Sequence, residues 1–179
     1  PRLLRFIQDP PNLLMFRGTK NLLSERSIAV VGSRKSSGSA IRETNVLAEH
    51  LAQRGIVIVS GGAIGCDMAA HLGALKSRLR PAPTIIVFAN GLSRLYPRCH
   101  QAYFERLLEE GCLCLSERLW DYPARPFDFP ARNRIISGLS LRLLVMQAGE
   151  KSGASISANY ALDQGREVFA LVHPEDDVR

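Results

Sequence analysis

Short runs rich in valine and isoleucine alternate along this chain with segments of helical periodicity, and most of the runs end on glycine. The first, in RSIAVVGS, leads through Gly32 into SAIRETNVLAEHLAQRG. That segment puts Ile41, Leu47, Ala48 and Leu51 on one expected face, with Gly55 as its stop. IVIVSGG follows, a near-continuous β-branched run of the kind a parallel strand buried on both faces requires. The alternation continues through IGCDMAAHLGAL, PTIIVFANG, HQAYFERLLEEG, CLCLSE, ARNRIISGLS, LRLLVMQA, SGASISANYALDQGR and EVFALV. Strands alternating with helices leave few folds open. Parallel strands need crossover connections, and the crossover helices must cover the sheet. The pattern predicts an α/β chain with a doubly wound, mostly parallel sheet of six strands and helices on both faces.

The first 25 residues break this rhythm. Pro10-Pro11 and Gly18 interrupt PRLLRFIQDPPNLLMFRG, which is expected to pack on the sheet as an entry segment, leaving 26–179 as the domain proper. The chain opens on Pro1 rather than Met, as a piece of a longer protein would. No run approaches the roughly 20 apolar residues that span a bilayer. Cys66, Cys99, Cys112 and Cys114 show no C-x-x-C spacing, and with His50, His71, His100 and His173 scattered there is no metal-ligand cluster. Reduced thiols and a cytoplasmic location are expected. The net charge of +6 is compatible with a polyanionic partner without requiring one.

In a doubly wound sheet ligands sit beyond the C-terminal ends of the strands. The segments there share one chemistry. Gly32, Ser33, Arg34 and Lys35 follow the first strand, and Ser60, Gly61, Gly62, Gly65 and Asp67 the second. Gly91, Tyr96 and Pro97 follow the third. A long aromatic and proline-rich loop with Phe127 and Phe129 follows the fourth and runs into Arg132, Asn133 and Arg134. Lys151, Ser152, Gly153 and Ser155 follow the fifth. Glycines admit a ligand to the backbone, helix N-termini favour anions, and arginine forks fit phosphate oxygens. Any one of these loops alone is an ordinary tight turn; together they predict an anion groove. Asp67 is expected to brace a loop, and Glu117 to do the same or to pair with a groove arginine.

Enzyme and cofactor signatures are missing. There is no G-x-G-x-x-G, and Ser60-Gly61-Gly62 stands where a ribose-binding acid belongs. There is no G-x-x-x-x-G-K-[ST] and no G-x-S-x-G. No catalytic residue and no cofactor is assigned.

GSR after the first strand, SGGAIGCDMAAHLGAL, GLSRLYPRCHQ, FPARNRIISGLS and SGASISANYALDQGREVFAL, in that order, resemble the DNA-processing protein A (DprA, or Smf) family, as does DPPNLLMFRG at the start. The resemblance implies a Rossmann-like domain that binds single-stranded DNA, usually as a homodimer. It also implies a non-enzymatic role in natural transformation, protecting incoming strands and helping to load the RecA recombinase. It implies flanking domains as well, a helical one before and a winged-helix-like one after. On this resemblance Arg34, Lys35, Arg132, Arg134 and Lys151 form the charged track, with Gly32, Ser33, Gly61, Gly62 and Ser152 supplying donors between them. Ser60, Gly65, Asn133, Gly153 and Ser155 match the family's loops, as do Asp67, Gly91, Tyr96 and Pro97. Phe127, Phe129 and Tyr96 are stacking candidates, with loop packing as their alternative role, and Trp120 is a weaker one. The chain departs from the family at Cys66, where Ile or Val is usual, and at Val172-His173-Pro174-Glu175, where Pro-Gly is usual. Two other classes stay open: a phosphoribohydrolase, although its P-G-G-x-G-T-x-x-E loop is missing, and a small-nucleotide sensor.

Overall fold

The computed structural model describes residues 2–149 and 152–171. Seven strands form one sheet in the order β1-β5-β4-β3-β2-β6-β7. The strands are β1 (Met15–Gly18), β2 (Ser27–Val31), β3 (Val57–Ser60), β4 (Thr84–Phe88), β5 (Leu113–Ser116), β6 (Arg142–Val145) and β7 (Glu167–Ala170). β2 to β7 run parallel, so the predicted doubly wound α/β architecture holds. The chain steps outward from β2 to β5, then returns to the other side of β2 for β6 and β7. That reversal creates a switch point between β2 and β6, where the diverging connections leave a crevice at the strand C-termini.

The five helices are α1 (Gly38–Gln53), α2 (Cys66–Lys76), α3 (Gln101–Glu109), α4 (Asp128–Leu139) and α5 (Gly153–Asp163). Successive strand residues point to opposite faces. Val57 and Val59 therefore join the core with α4, α5 and Leu4, Ile7 and Leu22 of the entry segment. Ile58 joins α1 and α2 on the other face, while Ile86 and Phe88 pack with Phe104 and Leu107 of α3.

Two features differ from the sequence expectation. The entry segment contributes a strand of its own: β1 pairs antiparallel with β5, Met15 opposite Ser116 and Gly18 opposite Leu113. Three of its four residues are exposed, so it carries no buried-strand pattern. α1 differs at one position of its expected face: Leu47, Ala48 and Leu51 pack on the core, but Ile41 does not. Its buried residues are Ala40, Thr44, Ala48 and Ala52, while Ile41 is 40% exposed. The reason is the closeness of α2: a Cβ on Gly73 would stand 2.2 Å from the Asn45 carbonyl oxygen. Only a stripe of small side chains lets the two helices approach so far.

Candidate anion-binding cleft at the switch point

The connections leaving β2, β3 and β6 meet at the switch point. The Ser33 N–H donates to the Gln147 carbonyl at 2.7 Å, and the Ser37 N–H to Gln147 Oε1 at 2.9 Å, which ties the β2–α1 loop to the end of β6. Ser36 Oγ donates to the Ser33 carbonyl, and Ser37 Oγ caps α1 by accepting from the Ala40 N–H. These serines spend their hydroxyls on holding the loop. Arg34 and Lys35 are left exposed at its tip. Gly32 is there for packing: a Cβ would stand 2.5 Å from Cys66 Sγ.

In the β3–α2 loop the Gly61 and Ala63 N–H groups donate to Asp67 Oδ2 at 3.2 and 3.4 Å. Asp67 thus braces the loop, the role expected for it. Arg132 of α4 approaches from the other face of the sheet. Its guanidinium donates to the Gly61 carbonyl at 2.9 Å and to the Val87 carbonyl, and its Nε to Asn133 Oδ1. Burial pulls the Arg132 guanidinium down to about 10, with the Asp67 charge opposing the shift and nearby Arg34 adding to it. Burial raises Asp67, against the pull of Arg132 and the loop N–H groups. The two charges steady one another under the cleft floor. Across the crevice Ser152 caps α5, its Oγ accepting from the Ser155 N–H, and Asn133 Nδ2 reaches the Gly153 carbonyl at 3.2 Å.

The cavity has a volume of about 650 Å³. The β2–α1 loop lines one side with Gly32, Ser33, Arg34 and Lys35, and the start of α5 the other with Ser152 and Gly153. Arg132, Asn133 and Asp67 lie at its base. The Arg34 guanidinium sits over the Phe129 ring, 5.4 Å from its centroid, and the Tyr96 and Phe129 ring centroids are 5.6 Å apart in a tilted pair. A cation above an aromatic face at the mouth suits a ligand with both charge and a flat ring.

Other candidates lie elsewhere. Ser60 is buried, its Oγ donating to the Val30 carbonyl within the sheet. Gly62 faces Ile86 and Phe104 of the core, and Gly65, at φ +89, abuts the Ser33 carbonyl. Gly91 is buried against the Leu119 and Trp120 carbonyls. Ser155 Oγ donates to the Gly149 carbonyl at the rim. Pro97 begins the short turn before α3, and Phe127 is 63% exposed outside the cavity. Arg134 corrects the expected track. Two residues after Arg132 it points about 200° around α4, as 100° per residue dictates. It pairs with Asp9 at 2.8 Å and Glu117 at 2.7 Å in a separate cavity. The partner of Glu117 is therefore an arginine outside the cleft. Lys151 and Val172-His173-Pro174-Glu175 lie outside the described residues.

Sequence reasoning missed Pro126, Pro130, Ile156 and Ser157, which also line the cavity. Ser157 is one helical turn after Gly153, a spacing that could have marked it. Among the described residues no group of three or more His, Cys, Asp or Glu could hold a metal ion, and no helix is long and apolar enough to cross a membrane.

Known proteins resemble this chain in sequence and fold. Over 166 residues, 93% of this chain and 44% of the relative, it is 43% identical to Protein Smf of Escherichia coli. It is 41% identical to DNA processing protein DprA of Bacillus subtilis, covering 96% of this chain and 57% of that one. The chain thus spans about half the length of these relatives. DNA processing protein A from Helicobacter pylori superposes with a TM-score of 0.91 at 32% identity, over 99% of this chain and 80% of that one. The family profile of DNA recombination-mediator protein A matches residues 1–179, and the chain belongs to that family.

Proposed function

We propose that this chain binds single-stranded DNA along the C-terminal edge of its sheet, with the switch-point cleft holding backbone phosphate. The observation that carries the reading is the mouth of the cleft. Arg34 stands there exposed, without an acidic partner among the described residues and stacked on Phe129, opposite the serine-capped start of α5. Arginine offers phosphate a fixed fork, the α5 N-terminus offers a partial positive charge, and the aromatic face offers a base its stacking surface. DNA processing protein A from Helicobacter pylori, which shares the fold, binds single-stranded DNA. Lys35 adds charge beside Arg34. Buried Arg132 contributes by holding Gly61 and by its field.

The reading is of a binding protein rather than an enzyme. Asp67, the acid at the cleft, is already committed to two loop N–H groups and to the field of Arg132. We place this domain in the cytoplasm, acting as a homodimer that coats incoming strands and helps load the RecA recombinase during transformation. Leu162 is exposed on α5 and Phe169 on β7, the last strand in the order of the described sheet. A second copy there would bury apolar surface and lengthen the track, while Val168 mainly serves the core.

Fluorescence anisotropy with labelled oligothymidylate across a salt series tests the proposal. Binding that weakens with salt, and that duplex and mononucleotide displace poorly, supports it. Displacement by mononucleotide at low concentration would favour the small-nucleotide sensor, and release of free base from a nucleoside monophosphate the phosphoribohydrolase.

A further inference from the structure

We propose that the loops following β4 and β5 form a second contact segment for single-stranded DNA, a ridge on which bases stack beyond the cleft, with Trp120 at its far end. This rests on the reading of the cleft above and extends it along the strand. The two loops are one body. The Gly91 N–H donates to the Tyr122 carbonyl at 2.8 Å, and the Ser93 N–H to the Trp120 carbonyl at 3.0 Å. The close seat of Gly91 against the Leu119 and Trp120 carbonyls locks them together.

That body carries rings in water. Trp120 is 42% exposed, Tyr96 46% and Phe127 63%. Each exposed ring on these stitched loops offers a flat apolar face to an unpaired base. Guanidinium groups are interleaved. Arg118 and Arg125 each lie 5.2 Å from the centroid of the Tyr122 ring. Arg94 and Arg98 are exposed, with no ion pair among the described residues. The acids nearby are Asp128, buried and paired with Arg118, Glu117, paired with Arg134, and exposed Asp121.

The ridge is continuous with the cleft. Arg34 stacks on Phe129, Phe129 touches Tyr96, and the Tyr96 loop is stitched to the Trp120 loop. β5 stands three strands from β2, about 14 Å at the usual strand spacing. Exposed bases and a flexible backbone match alternating rings and cations, whereas a duplex hides its base faces. The ligand class is therefore unpaired nucleic acid long enough to leave the cleft.

Trp120 is the single tryptophan of the chain, so its emission reports the ridge directly. Oligothymidylates of roughly four and roughly sixteen nucleotides are titrated, with anisotropy read beside emission. The long oligomer is expected to quench Trp120 as it binds, and the short one to bind with little quenching. Trp120→Ala should weaken the long oligomer about tenfold and leave the short one unchanged, while Trp120→Phe, which keeps a ring, restores most of the loss. If the long oligomer saturates by anisotropy without changing Trp120 emission, the ridge is overturned while the cleft reading stands; a folded Trp120→Ala that binds it as tightly overturns it equally. If neither length binds, both readings fall. The emission titration uses the unaltered protein, so it decides even if Trp120→Ala does not fold.

Discussion

Arg132 and Arg134 stand two residues apart on α4 and hold different partners at neighbouring strand ends. The Arg132 guanidinium holds the Gly61 carbonyl at 2.9 Å under the cleft. Arg134 turns away to Glu117 and to Asp9 of the entry segment, 125 residues away in sequence. A reading that counts arginines treats them alike, whereas the geometry makes one a brace for the phosphate loop and the other a staple for the N-terminal segment.

Replacing Arg34 by alanine removes an exposed charge whose side chain, among the described residues, rests on the Phe129 ring without an ion pair. It is expected to weaken single-stranded DNA binding for all sequences alike. It should also flatten the dependence of log affinity on log salt by about 0.7, the share of one phosphate contact. The thermal midpoint should not move. An unchanged slope in the anisotropy titration would remove Arg34 from the contact set.

Arg132→Ala should behave in the opposite way. It strips the bonds to the Gly61 and Val87 carbonyls and leaves Asp67 buried without its countercharge. A cost of about 3 kcal/mol is expected, lowering the melting temperature by about 10 °C for a domain of this size. Loss of DNA binding without loss of stability would instead mean that Arg132 touches the phosphate directly.

Arg134→Ala should loosen the entry segment. Its two ion pairs reach an exposed Asp9 and a half-buried Glu117, so the expected cost is modest, about 1–2 kcal/mol. Limited proteolysis should then cut more readily around Asp9, while the salt slope of DNA binding stays as in the parent protein. A slope that fell with this substitution would return Arg134 to the charged track.

Stability should fall on acidification below about pH 6.5, and His71 is one cause. Its ring is fully buried, with Nδ1 against Thr84 Oγ1 at 2.7 Å. Burial first, then Arg132 and His100, pull it from 6.5 down to about 3. Between those values the unfolded chain binds a proton that the folded one refuses, so each pH unit of acidification costs about 1.4 kcal/mol. Asp67 acts in the opposite sense above 3.8, because its raised carboxyl favours the folded state while protonated. His71→Gln should flatten the pH dependence of urea midpoints between pH 6.5 and 4; a slope that persists would place the proton uptake elsewhere.

The alternation of strand and helix was legible because periodicity is local: the β-branched run IVIVSGG read as a strand buried on both faces, and it became β3. Most glycines of the strand ends were visible too, although their reasons were not. Gly32 clears Cys66 and Gly61 clears Arg132, contacts made across the sheet that no spacing reveals. β1 escaped notice because only strand pairing makes it a strand; its exposed residues carry no apolar pattern. Of the expected α1 face only Ile41 was misplaced, because the nearness of α2 favoured the smaller Ala40, Thr44 and Ala52 beside Ala48.

By itself, then, the sequence determined the α/β class, the order of elements and the glycine, serine and arginine character of the strand ends, since each is written in residues close along the chain. Tertiary structure decided the strand order with its switch point between β2 and β6, the edge taken by β1, and which arginine faces the cleft. Helical and strand periods specify a face but not a neighbour. The neighbour is chosen by which faces can be buried together, a competition among segments far apart in sequence.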